Sequence, residues 1–472
     1  LARRSKNQIL EKVRITGIAD KGKAVGRTHL GEVVFVDDAV PGDLVDVRVI
    51  RKKKSLAEGV VIQFQELSLD RVTPSCRHFG ICGGCKWQHL DYQAQLLHKE
   101  QTVRDCMQRI ARLDPQIVLP IIGCSENFRY RNKLEFSFSN RRWLTKEETQ
   151  SEDDLSGQGA LGFHRPGFFD KIVAIEECLL QDPLSNDIRN FIREYTLQQN
   201  LTYFDPRAHE GLMRNMIVRN TTLGEWMVIV VFGYRDEEVI ESMMSAIQVA
   251  FPQITSLLYV INEKNNDTIF DREVFTWHGR PYIVEKLGHT EYRIGPKSFF
   301  QTNPKQAMTL FDVAREFAEF SKEDNVYDLY TGLGSIALYI SEDVAQVTGI
   351  EEIPEAIADA HINKELNKIT NASFYAGDVK DLLNEDFIQR HGKADVIITD
   401  PPRQGMHEKV VETILELETP RIVYISCNPA TQARDLALLS KKYTVTKVQP
   451  VDMFPHTHHI ESVAQLVLTK EI

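Results

Sequence analysis

The sequence predicts an α/β protein of three parts: a small N-terminal β-barrel (residues 1–69), a central mixed α+β domain (70–290) and a C-terminal doubly wound α/β domain (291–472). Three observations predict it. At 472 residues the chain exceeds what one hydrophobic core serves, and 42% apolar with 26% charged residues is ordinary globular material. Short alternating strands broken by glycines occupy the first 66 residues. From about Gly295 the pattern changes to strand, glycine turn, helix, strand.

Over residues 11–66, apolar and polar residues alternate in runs at 33–36, 44–50 and 60–64, separated by Gly22, Gly26, Gly31 and Pro41-Gly42. This spacing predicts a five-stranded OB-like barrel, a shape that binds nucleic acid across one face. Arg51-Lys52-Lys53-Lys54 would then form a loop suited to phosphates or a plain solvated turn. A helix is expected over 90–113, with Leu90, Ala94, Leu97, Met107, Ile110 and Leu113 on its apolar face. Residues 146–159 are acidic with glycine and serine, and read as a surface loop. In the last domain, apolar strands are expected at 325–329, 347–350, 396–399, 422–426 and 464–468.

The net charge of −11 argues against a phosphate-binding protein until its distribution is read. Residues 1–143 hold 25 Lys and Arg against 16 Asp and Glu, so a basic front joins an acidic body. No run of eighteen apolar residues exists and the first residues lack a secretion-signal core, so a cytoplasmic location is expected, with no membrane. Seven cysteines in so long a chain are too few for a disulfide scaffold and point to ligands, a nucleophile or buried thiols.

The motifs gather in the last domain. Residues 325–334 place Asp328 at a strand end before the Gly332-Leu-Gly334 turn, and Glu351 follows 23 positions later, where a Rossmann-like fold sets a carboxylate on a ribose. Ala337 stands where a dinucleotide fingerprint has its third glycine, which favours adenosylmethionine over a pyrophosphate cofactor. Asp378 is placed to meet an adenine amino group. Asp400-Pro-Pro-Arg-Gln-Gly405 follows another strand; Asp-Pro-Pro also occurs in enzymes that methylate exocyclic amines. Ser426-Cys-Asn-Pro429 ends the next strand and puts a thiol at the same edge, although a buried structural cysteine is the bland alternative. C5 of uracil is a poor nucleophile, so sulfur attack at C6 is needed before C5 can take a methyl group. Cys427 is therefore the candidate nucleophile and Glu461 the candidate base for the C5 proton. Cys76-x5-Cys82-x2-Cys85 is a ligand pattern, with Cys178 as the best fourth member; spacing fits zinc or a [4Fe-4S] cluster equally.

Taken together, these motifs resemble the bacterial 23S ribosomal RNA (uracil-5-)methyltransferases over nearly the whole chain. Residues 9–67 resemble the TRAM RNA-binding barrel. In family order come the four cysteines, Phe128-Arg-Tyr-Arg-Asn-Lys133, Phe299-Phe-Gln-Thr-Asn303, Asp328 to Gly334, Asp400 to Arg403, Ser426-Cys-Asn428 and Met453-Phe-Pro-His456. The resemblance implies a [4Fe-4S] cluster on Cys76, Cys82, Cys85 and Cys178, Cys427 as nucleophile and Glu461 as base. It implies adenosylmethionine contacts from Gln301, Tyr330, Glu351, Asp378 and Asp400; Ser335 stands at a further contact where the family often has Asn. The expected substrate is a flipped or loop uridine of 23S ribosomal RNA, with no obligate protein partner. Related transfer-RNA enzymes generally lack both barrel and cysteine cluster. Phe128 to Lys133, basic and aromatic in alternation, is expected to stack on unpaired bases.

Overall fold

The computed structural model describes residues 8–53, 56–150 and 158–469, in two compact units. One comprises residues 1–102 with 454–459, the other 103–453 with 460–472. Among the described residues, no helix is long and apolar enough to cross a membrane.

In the first unit, β1 (Ile9–Ile18), β2 (Ala24–Arg27), β3 (Val33–Asp37), β4 (Leu44–Lys53) and β5 (Leu56–Glu66) close a barrel in the order β1-β2-β3-β5-β4. Alternation explains it: Val13 and Ile15, Val34 and Val36, and Val45, Val47 and Val49 point inward and are buried together. Gly26 and Gly59 are needed for close strand pairing, because a Cβ at either would lie within 2.5 Å of a backbone oxygen on the adjoining strand, that of Arg14 or Arg48. The basic run is no loop; Arg51 to Lys53 end β4, where Lys52 pairs with Glu32 at 2.7 Å, and Lys54 lies outside the described residues.

After the cysteine segment comes a helix at Tyr92–Cys106, continued by a π turn at Met107–Ala111. The expected apolar face is only partly right. Leu90 and Ala94 are buried with Val40 and Trp87, and Met107 is buried as expected, but Leu97 is 66% and Ile110 41% exposed, while Leu96, Val103 and Ala111 are buried in their place. The extra residue in the π turn rotates every later position off a 3.6-residue repeat. Residues 454–459 close this unit: the His456 carbonyl accepts from the Lys86 and Trp87 amides (2.8 and 3.0 Å), and the His456 amide donates to Gln95 Oε1 at 2.9 Å.

The second unit holds two large sheets. One contains β6 (Lys133–Ser139), β7 (Ala160–His164), β8 (Ile172–Ala174), β9 (Met213–Asn220), β10 (Trp226–Phe232), β11 (Ser256–Ile261) and β12 (Val274–Gly279), in the order β12-β11-β10-β9-β6-β7-β8. Helices at Pro183–Gln198 and Glu237–Ala250 share its core through Ile188, Ile192, Ile240, Met243 and Ile247. The acidic stretch is not all loop: Lys146–Gln150 is a helical turn, and 151–157 lie outside the described residues. A hairpin, β13 (Ile283–Leu287) with β14 (Thr290–Ile294), follows. Its outer edge is satisfied by asparagine side chains of the helix Pro354–Leu366 and its cap, Asn363 and Asn367 accepting from the Arg293 and Glu291 amides at 2.7 and 2.8 Å.

The other large sheet comprises β15 (Asn325–Leu329), β16 (Gln346–Glu351), β17 (Ala372–Ala376), β18 (Val396–Thr399), β19 (Arg421–Ser426), β20 (Tyr443–Val451) and β21 (Glu461–Leu468). Their order is β17-β16-β15-β18-β19-β21-β20; the first five are mutually parallel, and β21 alone is reversed, pairing antiparallel with both β19 and β20. All five expected strands are present. Helices on this sheet start sharply because their N-caps and first residues are preset: Asn303-Pro304 and Asn428-Pro429 each place an accepting amide before a proline. Residues Val326, Ile397, Ile398, Ile422 and Val423 have no solvent exposure, as a sheet covered on both faces requires. Replacing Ile397 by Ala should cost about 2–5 kcal/mol, read as a lowered urea midpoint at unchanged slope.

Candidate active site

The carboxyl ends of the parallel strands gather the motif residues. Tyr330 follows β15, Glu351 ends β16, Asp378 follows β17 by one residue, Asp400 follows β18 and Cys427 follows β19, while Glu461 begins antiparallel β21. Strand register makes this inevitable: Leu329 pairs with Ile350 and Thr399, and Ser426 with Ser462.

Asp328, at 1% exposure, organises the glycine turn. One carboxylate oxygen accepts from Thr331 Oγ1 (2.5 Å) and the Ala337 amide (3.2 Å); the other, Oδ1, is buried with no hydrogen-bond partner among the described residues. Gly332 and Gly334 have φ of 57° and 82°. A Cβ at Gly332 would meet nothing, so the turn borders open space, whereas one at Gly334 would press on Phe374 at 3.0 Å. Glu351 accepts from the Gly332 and Ile353 amides at 3.1 and 3.0 Å, which sets its carboxylate over the turn. Asp378 caps the following helical turn and pairs with Lys380. Ser335 opens the short helix Ser335–Tyr339, with its carbonyl bound by Tyr292. An orphaned buried oxygen, an open glycine turn and a fixed carboxylate fit an aminoacyl nucleoside such as adenosylmethionine.

Charge is concentrated here. Burial pushes Asp328 up to about 7, helped by Glu351; burial and the neighbouring Asp328 push Asp400 up to about 7. Glu461, 6% exposed, is raised well above the carboxylate range by burial, with Asp400 adding to it. Cys427 is driven to about 11 by burial, then by Glu461 and Asp400, against a hydrogen bond and positive charge from Arg403. Cys427, Glu461, Asp400 and Arg403 thus form one coupled group.

Arg403 is the site residue that sequence reasoning passed over: its charge and hydrogen bond favour the ionised form of the Cys427 thiol. Its motif was legible but this placement was not, although a thiol set beside carboxyls ionises more readily with a cation at hand. The loop carrying it is tied to the cysteine: the Arg403 carbonyl accepts from Asn428 Nδ2 (3.0 Å) and Thr431 Oγ1 (3.2 Å). Buried Asp435 accepts from Tyr424 and the Met406 amide, which fixes the loop's far end.

The Phe128 to Lys133 motif does not supply the expected stacking surface. Tyr130 is 6% exposed and Asn132 and Lys133 are largely buried. Arg129 grips the Cys178 and Gln181 carbonyls, both at 2.9 Å. Cys76, Cys82 and Cys85 share one half-buried loop in which the Gly84 amide faces Cys82 Sγ (3.3 Å) and Gln88 Nε2 faces Cys85 Sγ (3.2 Å). Cys178 lies in the segment before the helix Pro183–Gln198 and is likewise half-buried. Among the described residues no three His, Cys, Asp or Glu side chains are gathered as a metal site.

Residues 6–62 match the TRAM domain and residues 277–470 the tRNA (Uracil-5-)-methyltransferase family. An uncharacterized RNA methyltransferase of Bacteroides thetaiotaomicron is 50% identical over 96% of this chain and 100% of its own. One of Porphyromonas gingivalis is also 50% identical, over 97% and 100%. The tRNA (uracil-54, C5)-methyltransferase of Pyrococcus abyssi, solved with S-adenosyl-L-homocysteine, superposes with a TM-score of 0.74 at 28% identity, covering 97% of this chain and 100% of that one.

Two outcomes are expected from the charge arrangement. Alkylation of Cys427 by iodoacetamide, followed by mass spectrometry, should quicken with pH up to about 10 without a plateau, and Arg403→Gln should slow it at every pH. For Asp400, the folded state holds its proton to about 7 while the unfolded chain releases it near its ordinary 3.8, so ligand-free stability falls as pH rises between those values. Asp400→Asn should therefore melt higher than the parent protein at pH 8 and alike at pH 4 by scanning fluorimetry.

Proposed function

Because the chain belongs to the S-adenosylmethionine-dependent RNA (uracil-5-)-methyltransferases, we propose that it methylates C5 of a uridine in 23S ribosomal RNA, with Cys427 as nucleophile and Glu461 as base. The observation that carries the residue roles is the coupling of a thiol, its arginine and a desolvated carboxyl at one sheet edge. Glu351, Asp378, Asp400, Tyr330 and Gln301 would hold the cofactor, with Ser335 at the helix start. Bound there, it supplies an electrophilic methyl group on a positively charged sulfur.

The chain's own residues then account for the proton movements. Cys427 rests as a thiol, and Arg403 favours its ionised form. The thiolate adds to C6, and the ring electrons displaced toward C5 take the methyl group. Glu461, buried and reluctant to ionise alone, accepts the C5 proton once it holds a negative charge; the C6–S bond then breaks and returns sulfur to Cys427. Asp400, whose proton affinity burial and Asp328 raise, and Asp328, raised by burial and Glu351, favour a cation beside them.

Cys76, Cys82, Cys85 and Cys178 would hold a [4Fe-4S] cluster. Four reduced thiols, with amide donors facing two of the sulfurs, are the donor set such a cluster takes.

The Pyrococcus abyssi enzyme favours a second reading, transfer RNA as substrate. Its chain aligns from end to end with this one, so the barrel and cysteine segment do not by themselves separate the two RNA classes. Nucleosides from 23S and transfer RNA, each incubated with the protein and labelled adenosylmethionine, decide between them by mass spectrometry: 5-methyluridine in 23S RNA is expected, and label in transfer RNA alone would move the substrate while keeping the chemistry. Cys427→Ala should bind S-adenosylhomocysteine like the parent and transfer no methyl. Glu461→Gln should accumulate a denaturation-resistant protein–RNA adduct on gels.

A further inference from the structure

Residues 295–302, between β14 and the helix Pro304–Ala318, carry Gln301, whose side chain has no partner within the chain among the described residues. Phe300 anchors the segment by packing on Tyr292 (ring centroids 5.6 Å), but Phe299 is 75% exposed, so side-chain packing alone does not fix the Gln301 peptide. Other elements hold it by its backbone. From β9, buried Arg219 donates to the Gly295 carbonyl (3.4 Å) and the Ser298 carbonyl (2.7 Å). Ser298 Oγ receives the Gly295 amide at 2.9 Å and donates to Asp359 at 2.5 Å. At the other end, Asn303 caps the next helix and donates to the Met453 carbonyl at 3.0 Å.

Between those anchors the segment is gripped by Asn132. Its backbone amide donates to the Thr302 carbonyl at 2.9 Å, and its side-chain Nδ2 donates to the Gln301 carbonyl at 3.2 Å. Asn132 is itself immobilised, 7% exposed, with its carbonyl taken by the Asn220 amide at 2.9 Å. One and three residues earlier in the same run, the Arg131 and Arg129 amides donate to the Leu180 and Leu179 carbonyls at 2.8 Å each. The Gln301 peptide is thus fixed by a side chain from a rigid support, while its own amide stays available to a ligand.

We propose that Asn132 is a positioning residue for the methyl-transfer site: its side-chain donor fixes the Gln301 peptide and so sets the affinity for the cofactor. This rests on the reading of Gln301 as a cofactor contact. A residue that only stabilised the fold would lower melting temperature without sharing its effect with Gln301, whereas one acting through Gln301 has nothing left to do once that side chain is gone.

The test is a double-mutant cycle on the full-length protein, read as the Kd for S-adenosylhomocysteine by calorimetry, with melting temperatures alongside. Asn132→Asp keeps the shape and removes the donor; Asn132→Ala removes both and serves if the first variant is poorly folded. Each Asn132 variant and Gln301→Ala should weaken binding about tenfold, the scale of one hydrogen bond. The double variant should bind no more weakly than Gln301→Ala alone. Unchanged affinity in the Asn132 variants beside a weakened Gln301→Ala, or losses that multiply in the double variant, would overturn the inference alone. Unchanged affinity in Gln301→Ala would overturn the cofactor reading and the inference with it.

Discussion

The structure of the active edge depends on carboxyls that are kept from water. Asp328, Asp400 and Glu461 arrive at neighbouring strand ends, and each resists ionisation chiefly because burial withholds solvent, with Glu351 adding to Asp328, Asp328 to Asp400 and Asp400 to Glu461. Burial thus favours the protonated carboxyls and the Cys427 thiol in the ligand-free site. A cation arriving there would be stabilised by the very groups that destabilise the empty site, which couples cofactor binding to ionisation of the residues that react. Arg403 is the built-in share of that cation, and it acts on the thiol.

The fold produces this crowding by simple means. Parallel strands in register end at one level, so residues distant in sequence become neighbours without long side chains. Sharp Asn-Pro helix starts leave no slack between strand end and helix, which keeps Cys427 within its turn. Asp435, buried under the loop after Asp400, supplies the hydrogen bonds that the loop's irregular backbone cannot make internally.

What the sequence made legible follows the range of the forces involved. Barrel and sheet strands were readable because alternation and apolar runs are local. The strand-end positions of Asp328, Glu351, Asp400 and Cys427 followed from those runs. The face of the long helix was misread at Leu97 because its buried side carries the polar Gln95 and Lys99 beside Leu96 and Val103, and at Ile110 because a single inserted residue in the π turn leaves no mark in composition. Phe128 to Lys133 looked like a stacking surface since basic and aromatic residues alternate; burial of Tyr130, Asn132 and Lys133 depends on strands more than eighty residues away. Arg403 was visible as a letter of a motif, but only tertiary packing set its guanidinium against the thiol.

The placement of residues 454–459 bears on how the protein is made. Their chain neighbours on both sides belong to the second unit, yet they complete the first, where the His456 backbone closes against Lys86, Trp87 and Gln95. During synthesis from the N-terminus, that unit must wait for more than three hundred further residues before its last piece leaves the ribosome. The barrel can close early, since its core is self-contained, but the segment from Cys76 to Trp87 lacks its His456 backbone partner until residues 454–459 have been made, so its folding is tied to the far end of the catalytic unit.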